Sequence, residues 1–535
     1  RGKITEPLRK LPFKAGEVWR GKDGVWRVEG EKTFILASWG SSEYSLVPEY
    51  NIVVHWANDI RSAHKFINRE TIFGIWKLRN RLKLEGPVPE VVEAYRDIVR
   101  RSKDDPQLFA HYLCDEPDCF GFTVSALEPI AAVIADEDPY HPLLISTGSS
   151  GVTAYRRCAE INGFHCYPLP KQGTSMNQFN KIVVLMDTAM KTFAAEEGPP
   201  QDIIYLHQGF NYGDYGTTPL NRVPTYDEFR NQNFMALILG AKGLFHYNRI
   251  EETYPEIFFG IPQLVKEEKL VGERAVIHPD AKEKFTADAA DIRAIVKQND
   301  QGEFWLIVCN VANQETDAVL SFAPFAQMPF TVLSENRVLP QSTEINEHFT
   351  PYQVHIYTNA ANLPILKSVN EINAGIEAIY AQRAKPGNLA YQRNENEKLQ
   401  VTASSNHDGR KRATQMLWHL TDGITAKTHS RSPDRNIIFY QDATPNQFPD
   451  HIQYEFKESI TVGRIVLYPV ENSLQEYEIQ VRKGNEFVTV KKVTNADGEC
   501  QQVAFDPIQT DCVRLVVIAT RGANTRLYEM EVYEN

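Results

Sequence analysis

The chain has little cysteine: seven residues in 535, at positions 114, 119, 158, 166, 309, 500 and 512. None sits in the paired CxxC spacing of a zinc ribbon or dithiol centre, which argues against those metal and redox folds. Cys500 and Cys512 are near enough in sequence to bridge, and the odd total leaves at least one thiol free. No run of 18 apolar residues occurs, so no segment is built to cross a membrane as a helix. No block of Lys or Arg occurs either, and the formal net charge is −12, which argues against a surface for the phosphates of DNA or RNA. A signal peptide is missing too. The chain opens on Arg1 rather than methionine, as a trimmed product does, and a secreted or periplasmic/cell-surface protein is expected.

Aromatics are plentiful at 11%, with 7 Trp and 23 Tyr, enough to furnish stacking surfaces as well as cores. The length is too great for a single core and implies several domains. From about residue 30 to 250, short apolar runs recur between helical stretches: FILASW (34–39), NIVVHW (51–56), TIFGIWKL (71–78), LFAHYLCDE (108–116), LLISTG (143–148), NGFHCYPL (162–169), IIYLHQGF (203–210) and GLFHYN (243–248). Each is continuous rather than alternating, as parallel strands buried on both faces require. VPEVVEAYRDIVRRS (88–102) and TYDEFRNQNFMALILGA (225–241) between them are amphipathic, the second with Thr225 as N-cap and Glu228 three residues on. Eight alternations predict a (β/α)8 barrel over residues 1–265, short N-terminal extension included.

Residues 266–366 change character. AVIHPD, IRAIVKQ, GEFWLIVCNVA, DAVLSFA, FTVLSE and YQVHIYT read as strands of a small antiparallel β-sandwich. A helical linker follows (367–387). Alternation returns over 388–535 in HIQYEF, VGRIVLYPV, YEIQVRK, VRLVVIAT and YEMEVYE, predicting a C-terminal β-jelly-roll.

Barrel proteins place their chemistry at the C-terminal ends of the strands. Those ends carry Trp39, His55 and Trp56, Trp76, Asp115 and Glu116, His165 and Tyr167, His207 and Gln208, and His246 and Tyr247. Any one of these is ordinarily packing. Together, aromatic faces beside hydrogen-bonding groups suit a sugar, whose C–H face stacks while its hydroxyls take polar partners. Glycosidic oxygen is a poor leaving group unless protonated, so cleavage needs a carboxylic acid kept protonated near neutral pH. Adjacent acids at one strand end raise each other's pKa, which nominates Asp115 and Glu116, with Glu116 as proton donor. Strand alternation would send the two to opposite sides unless the backbone bends, and Pro117 favours an extended Glu116. The bland alternative is a strand end capped by solvated acids.

A retaining enzyme needs a second carboxylate roughly 5–5.5 Å away and an inverting one a base at about 6.5–9.5 Å. The seventh strand offers His207 and Gln208 instead, with Asp214 in the loop beyond; Asp59 after the second strand is a weaker candidate. The missing nucleophile favours inversion, or attack by the substrate's own 2-acetamido group with Asp115 polarising that amide. Two other readings stand beside the hydrolase. One is a non-catalytic glycan-binding protein on a degenerate barrel. The other is a metal-dependent hydrolase using His55, His165, His207 and His246, although these have no HxH or HxxxE spacing.

The YLCDEP stretch (112–117) and RVPTYDEFRNQNFMALILGAKGLFHYN (222–248), with its closing "GA.GL..Y", resemble bacterial (β/α)8 glycoside hydrolases. The Asp-Glu pair distantly resembles families 20 and 123, β-N-acetylhexosaminidases that use substrate assistance. That resemblance implies Asp115 as amide polariser and Glu116 as acid, with no catalytic cofactor. NLAYQ (388–392), TASSNHDG (402–409), WHLTDG (418–423) and LYEMEVYEN (527–535) resemble the discoidin, or F5/8 type C, fold, whose bacterial versions are carbohydrate-binding modules of family 32. That second resemblance implies a glycan partner and a structural Ca2+ held by Asp422 and Glu529, although Ile424 replaces the usual small polar residue after Gly423. An exposed edge-strand charge is the alternative reading of Glu529.

Overall fold

A computed structural model describes residues 11–39, 47–55, 65–68, 70, 76–148, 151–169, 179–195, 201–212, 222–248, 253–406, 417–426 and 439–535. Eight parallel strands close into a barrel in sequence order: β1 (Ile35–Ser38), β2 (Ile52–His55), β3 (Lys65–Asn68), β4 (Leu108–Asp115), β5 (Leu143–Thr147), β6 (Ile161–His165), β7 (Asp202–Gly209) and β8 (Gly243–Asn248), with β8 pairing β1. Most strands are largely apolar on both faces because both are covered. Ile35, Ala37, Val54, Ala110, Tyr112, Leu144, Ile204, Leu206 and Phe245 belong to the interior cluster. Phe34, Leu36, Ile203, Tyr205 and Leu244 pack outward among the helices.

The helices are α1 (Trp76–Glu85), α2 (Pro89–Ser102), α3 (Val124–Glu137), α4 (Phe179–Ala195) and α5 (Tyr226–Ile238), then α6 (Ile261–Val271) beyond the last strand. α5 carries the expected capping box, Thr225 Oγ1 accepting from Glu228 N at 3.2 Å and Glu228 Oε2 from Thr225 N at 2.8 Å.

One barrel strand lies elsewhere than expected. The third is KFIN at Lys65–Asn68, while TIFGIWKL leads into α1, which Trp76 opens; residues 71–75 of that run lie outside the described residues. Leu78 and Leu82 stand four apart with polar residues between, so this run turns its apolar side chains to one face of a helix, and Leu82 is buried there.

The barrel floor is sealed. A three-stranded ribbon (Val18–Arg20, Trp26–Val28, Glu31–Lys32) lays Val18 and Trp26 against the interior cluster. Trp26 Nε1 donates to Asp202 Oδ2 at 3.0 Å and Arg20 Nε donates to the same oxygen at 2.6 Å, at the entrance of β7.

Beyond α6, two antiparallel sheets form the expected sandwich. One comprises Phe285–Ala287, Thr316–Phe322 and Glu344–Phe349, and the other Ile292–Gln298, Phe304–Asn310, Val354–Thr358, Thr331–Val332 and Arg337–Val338. AVIHPD is not among them: its start belongs to a helical turn, Gly272–Val276, that extends α6. α5 bolts the sandwich to the barrel. Arg230 on α5 pairs with Glu267 on α6 through bonds of 2.8 and 2.9 Å and donates to Val354 O at 3.0 Å. Asn231 donates to Asn310 O and Tyr352 O, both at 2.9 Å.

α7 (Val369–Arg383) then leads to the C-terminal antiparallel β-sandwich, whose Asp450–Pro469 and Gln501–Thr520 are long bulged strands. HIQYEF and VGRIVLYPV are thus two halves of one strand. The joint is apolar and hydrogen-bonded: Trp418 lies 6.1 Å from the Tyr254 ring, and Arg383 Nη1 donates to Thr253 O at 2.6 Å. None of the seven cysteines is in a disulfide, so the Cys500–Cys512 bridge does not form; Cys512 is buried within its strand and Cys500 is exposed. Among the described residues, no helix is long and apolar enough to cross a membrane.

Candidate functional site at the barrel mouth

The end of the barrel away from the three-stranded ribbon is where the strands finish. The sequence brings two adjacent acids there by two local devices. First, β4 carries a bulge: Tyr112 pairs with Leu144 but Cys114 with Ile145, so Leu113 is an extra residue that shifts the inward–outward phase. Leu113 and Cys114 both pack outward, and Asp115 returns to the mouth, where Tyr112 Oη donates to its Oδ1 at 3.1 Å. Second, Glu116 takes φ 48° and ψ 50°, left-handed rather than the extended backbone expected before proline. Its carbonyl accepts from Cys119 N and Phe120 N, both at 3.0 Å, launching the single turn Pro117–Phe120. That conformation costs a non-glycine residue about 1–2 kcal/mol.

Asp115 is pushed up to about 7, first by burial and next by the charge of Glu116. Arg79 of α1 reaches the same strand end and donates to Asp115 O at 3.3 Å. Across the mouth, His165 Nε2 stands 3.1 Å from Glu116 Oε1. Burial pushes this imidazole down to about 4, so a neutral ring faces the carboxyl. Asp118 completes the acidic side, its Oδ1 accepting from Gly148 N at 3.2 Å. A Cβ at Gly151 would come within 2.9 Å of the Asp118 carboxyl, so glycine there makes the room.

From His165, beside Glu116, a wall of rings runs round the mouth. His165 stacks on Tyr167 at 4.9 Å, Tyr167 meets Phe210 edge-on at 4.9 Å, and Phe210 meets Tyr212 at 5.0 Å and Tyr247 at 5.5 Å. Trp39 closes it, 5.8 Å from Tyr247 and 5.4 Å from Tyr112. Tyr212 is pushed up to about 12 by burial, with the Glu116 charge adding to it.

The expected site residues therefore divide. Asp115, Glu116, His165, Tyr167, Trp39 and Tyr247 gather at the mouth. Trp56, Asp59 and Asp214 lie outside the described residues. His55 ends β2, whereas Trp76 opens a helix instead of ending a strand. His207 and His246 do not face the mouth: they alternate with the inward Leu206 and Phe245 and point outward against α5 and α6. There they stack at 3.9 Å, fully buried; His207 Nε2 meets Asn248 Oδ1 at 2.6 Å, and His246 Nε2 stands 3.1 Å from Glu268 Oε2. Gln208 is fully buried, its Oε1 accepting from Leu169 N at 2.9 Å, so it holds the loop after β6.

This geometry breaks up the four-histidine metal set. Among the described residues, the group with metal-ligand proximity is a different one, His111, Asp138 and His141 on the barrel flank. Both imidazoles lie 2.8 Å from Asp138 Oδ2, tying β4 to the connection before β5.

In the C-terminal sandwich, Asp422 and Glu529 are linked through Gly423, whose N donates to Glu529. Asp422 receives His419 Nδ1 at 2.8 Å and Ile424 N at 2.9 Å. Glu529 is not an exposed edge charge but fully buried, its Oε2 accepting from Gly423 N at 3.2 Å while Oε1 has no hydrogen-bond partner. Burial drives Glu529 well above the usual carboxylate range, and the charges of Asp422 and Glu531 add to the shift.

Residues 400–530 match the F5/8 type C domain family. The C-terminal unit is an F5/8 type C domain. Solved structures similar to it include chitosan-binding module 1 of a chitosanase/glucanase from Paenibacillus sp. IK-5 (24% identity, 27% of this chain and 98% of that one, TM-score 0.21). The family 32 module of NanJ from Clostridium perfringens, in complex with galactose, is another (18%, 25% and 93%, TM-score 0.21). A third is the family 32 module of EndoD from Streptococcus pneumoniae (15%, 28% and 99%, TM-score 0.22). No curated protein matches the chain.

Sequence reasoning passed over several residues at the mouth. Asp118 is the final residue of the DEPD string that drew attention to its neighbours, and the glycines at 148 and 151 that admit it are silent in sequence. Tyr112, two positions after the inward Ala110, was legible as an inward side chain. Arg79 was not, because it follows directly on TIFGIWKL (71–78), a run that reads as a strand. The F5/8 type C domain was the most legible unit, because its motifs are local.

Proposed function

We propose that the barrel is a glycoside hydrolase in which Glu116 protonates the leaving glycosidic oxygen, and that the F5/8 type C domain binds carbohydrate on the same glycan. The observation that carries this reading is the pair of adjacent acids at the mouth, one held up to about 7, beside a wall of aromatic rings. A shared proton near neutral pH is what a general acid needs, and ring faces beside carboxylates suit a sugar.

Among the described residues, β7 ends in His207–Gln208–Gly209 and β8 in Tyr247–Asn248, without a carboxylate. This favours a substrate that supplies its own nucleophile. In that mechanism the 2-acetamido oxygen attacks C1 while Asp115 accepts the amide proton and orients it. Glu116 gives its proton to the departing oxygen, and the C1–O bond breaks. Water then attacks C1 and opens the oxazoline, Glu116 taking the water's proton while Asp115 returns its proton to the amide nitrogen. The same lack of a carboxylate at the described ends of β7 and β8 also favours the second reading, a glycan-binding protein on a degenerate barrel. Secretion to the cell surface or beyond fits either reading.

The test is a panel of 4-nitrophenyl glycosides, including the β-N-acetylgalactosaminide and the β-galactoside, with an N-acetylhexosamine thiazoline as inhibitor. Release from the acetamido sugar with thiazoline inhibition supports assistance. Release from the plain galactoside without inhibition points to an ordinary nucleophile or base. Binding of the glycan without any release favours the degenerate barrel.

In the F5/8 type C domain, Asp422 and Glu529 would hold a calcium ion, and the unpartnered Glu529 Oε1 fits that role. Chelation by EDTA is expected to lower the melting temperature and added Ca2+ to restore it, with Glu529→Gln removing the response. A melt indifferent to both contradicts the site.

A further inference from the structure

The general acid of a glycosidase lies beside the leaving group, so whatever side chain flanks it on the loop side contacts the sugar that departs. One turn beyond Glu116 stands Phe120, whose amide closes the Pro117–Phe120 turn on the Glu116 carbonyl. Unlike the aromatic residues of the wall, Phe120 is 40% exposed. Its ring is not loose. The Arg79 guanidinium lies 4.3 Å from the ring centroid and 5.3 Å from that of Phe122, and the same guanidinium is tied to Asp115 O. Arg79 thus backs one side of the ring and fixes its distance from the acid pair, leaving the rest to solvent.

Phe120 is thus a partly exposed phenyl backed by a buried arginine one turn after Glu116, with surface on which a ring can stack. We propose that Phe120 forms the leaving-group subsite, stacking on the departing sugar or aryl ring while Glu116 protonates the oxygen between the two halves of the substrate. This rests on the hydrolase reading. Arg79 acts as a positioning residue, through Phe120 and Asp115.

Two substrates with one glycone separate the roles: 4-nitrophenyl N-acetyl-β-D-galactosaminide, whose leaving group is a ring, and N-acetyl-β-D-galactosaminyl fluoride, whose leaving group is a single atom. In the full chain, Phe120→Ala is expected to lower kcat/KM for the aryl glycoside roughly tenfold and leave the fluoride unchanged, with Phe120→Trp retaining both. Equal loss on both substrates, or loss on neither, overturns the subsite. A wild-type protein that cleaves neither substrate overturns the hydrolase reading for this sugar and the subsite with it, an outcome distinct from the other two.

Discussion

In a Glu116→Gln variant, kcat is expected to fall by about 10²–10⁴-fold, the contribution of a positioned general acid. Glutamine has nearly the same shape but carries no proton that can be given up, so the loss isolates proton donation. The fold should not notice. Glu116 is partly exposed, its left-handed backbone suits glutamine as poorly as glutamate, and the backbone bonds that launch the Pro117–Phe120 turn are untouched. A stability change within about 0.5 kcal/mol is expected, read by denaturant midpoint. Activity that survives the substitution places the proton donor elsewhere. If the barrel only binds glycan, the variant binds as the wild type does.

The second large effect concerns stability. Arg230 and Glu267 are buried to within 2% exposure, and the arginine also serves Val354 O in the neighbouring sandwich. Replacing Arg230 with Ala strands the Glu267 carboxylate in the interior and removes a bond between domains. A loss of ~3–5 kcal/mol is expected, because an unpaired buried charge keeps its desolvation cost. Arg230→Met, which restores volume but not charge, leaves the same stranded carboxylate and should fare little better. Pairing it with Glu267→Gln should recover much of the loss. Equal stability of Arg230→Ala and wild type would mean that the pair does not hold these domains together.

How far the sequence reaches follows from the range of the interactions. The barrel was legible because continuous apolar strands of β4 or β7 type carry their own signature. The four-residue KFIN strand was not, since it is short and polar at both ends, while the longer run after it looked more strand-like than it is. Asp115 and Glu116 were legible as a pair, but the bulge at Leu113 and the left-handed Glu116 that bring both to the mouth are properties of β4 against β5. His207 and His246 stand at strand ends as expected yet face outward, because direction depends on strand phase rather than on position along the strand. Their partners Asn233 and Glu268 come from helices elsewhere in the chain.

Asp115 and Glu116 are expected, above all, to work as one coupled acid. The pair retains a proton up to about pH 7, since burial and mutual repulsion raise Asp115 to about 7. Above that pH both groups ionise and no proton remains to give. The direct measurement is kcat/KM against pH, from 5 to 9, for wild type and Asp115→Asn. The wild type is predicted to lose activity along a basic limb near pH 7. In the variant the like charge is gone, so the proton is held less tightly and the limb moves to lower pH. A limb that stays in place when Asp115 is replaced, or a wild type with no limb in this range, would contradict the coupling.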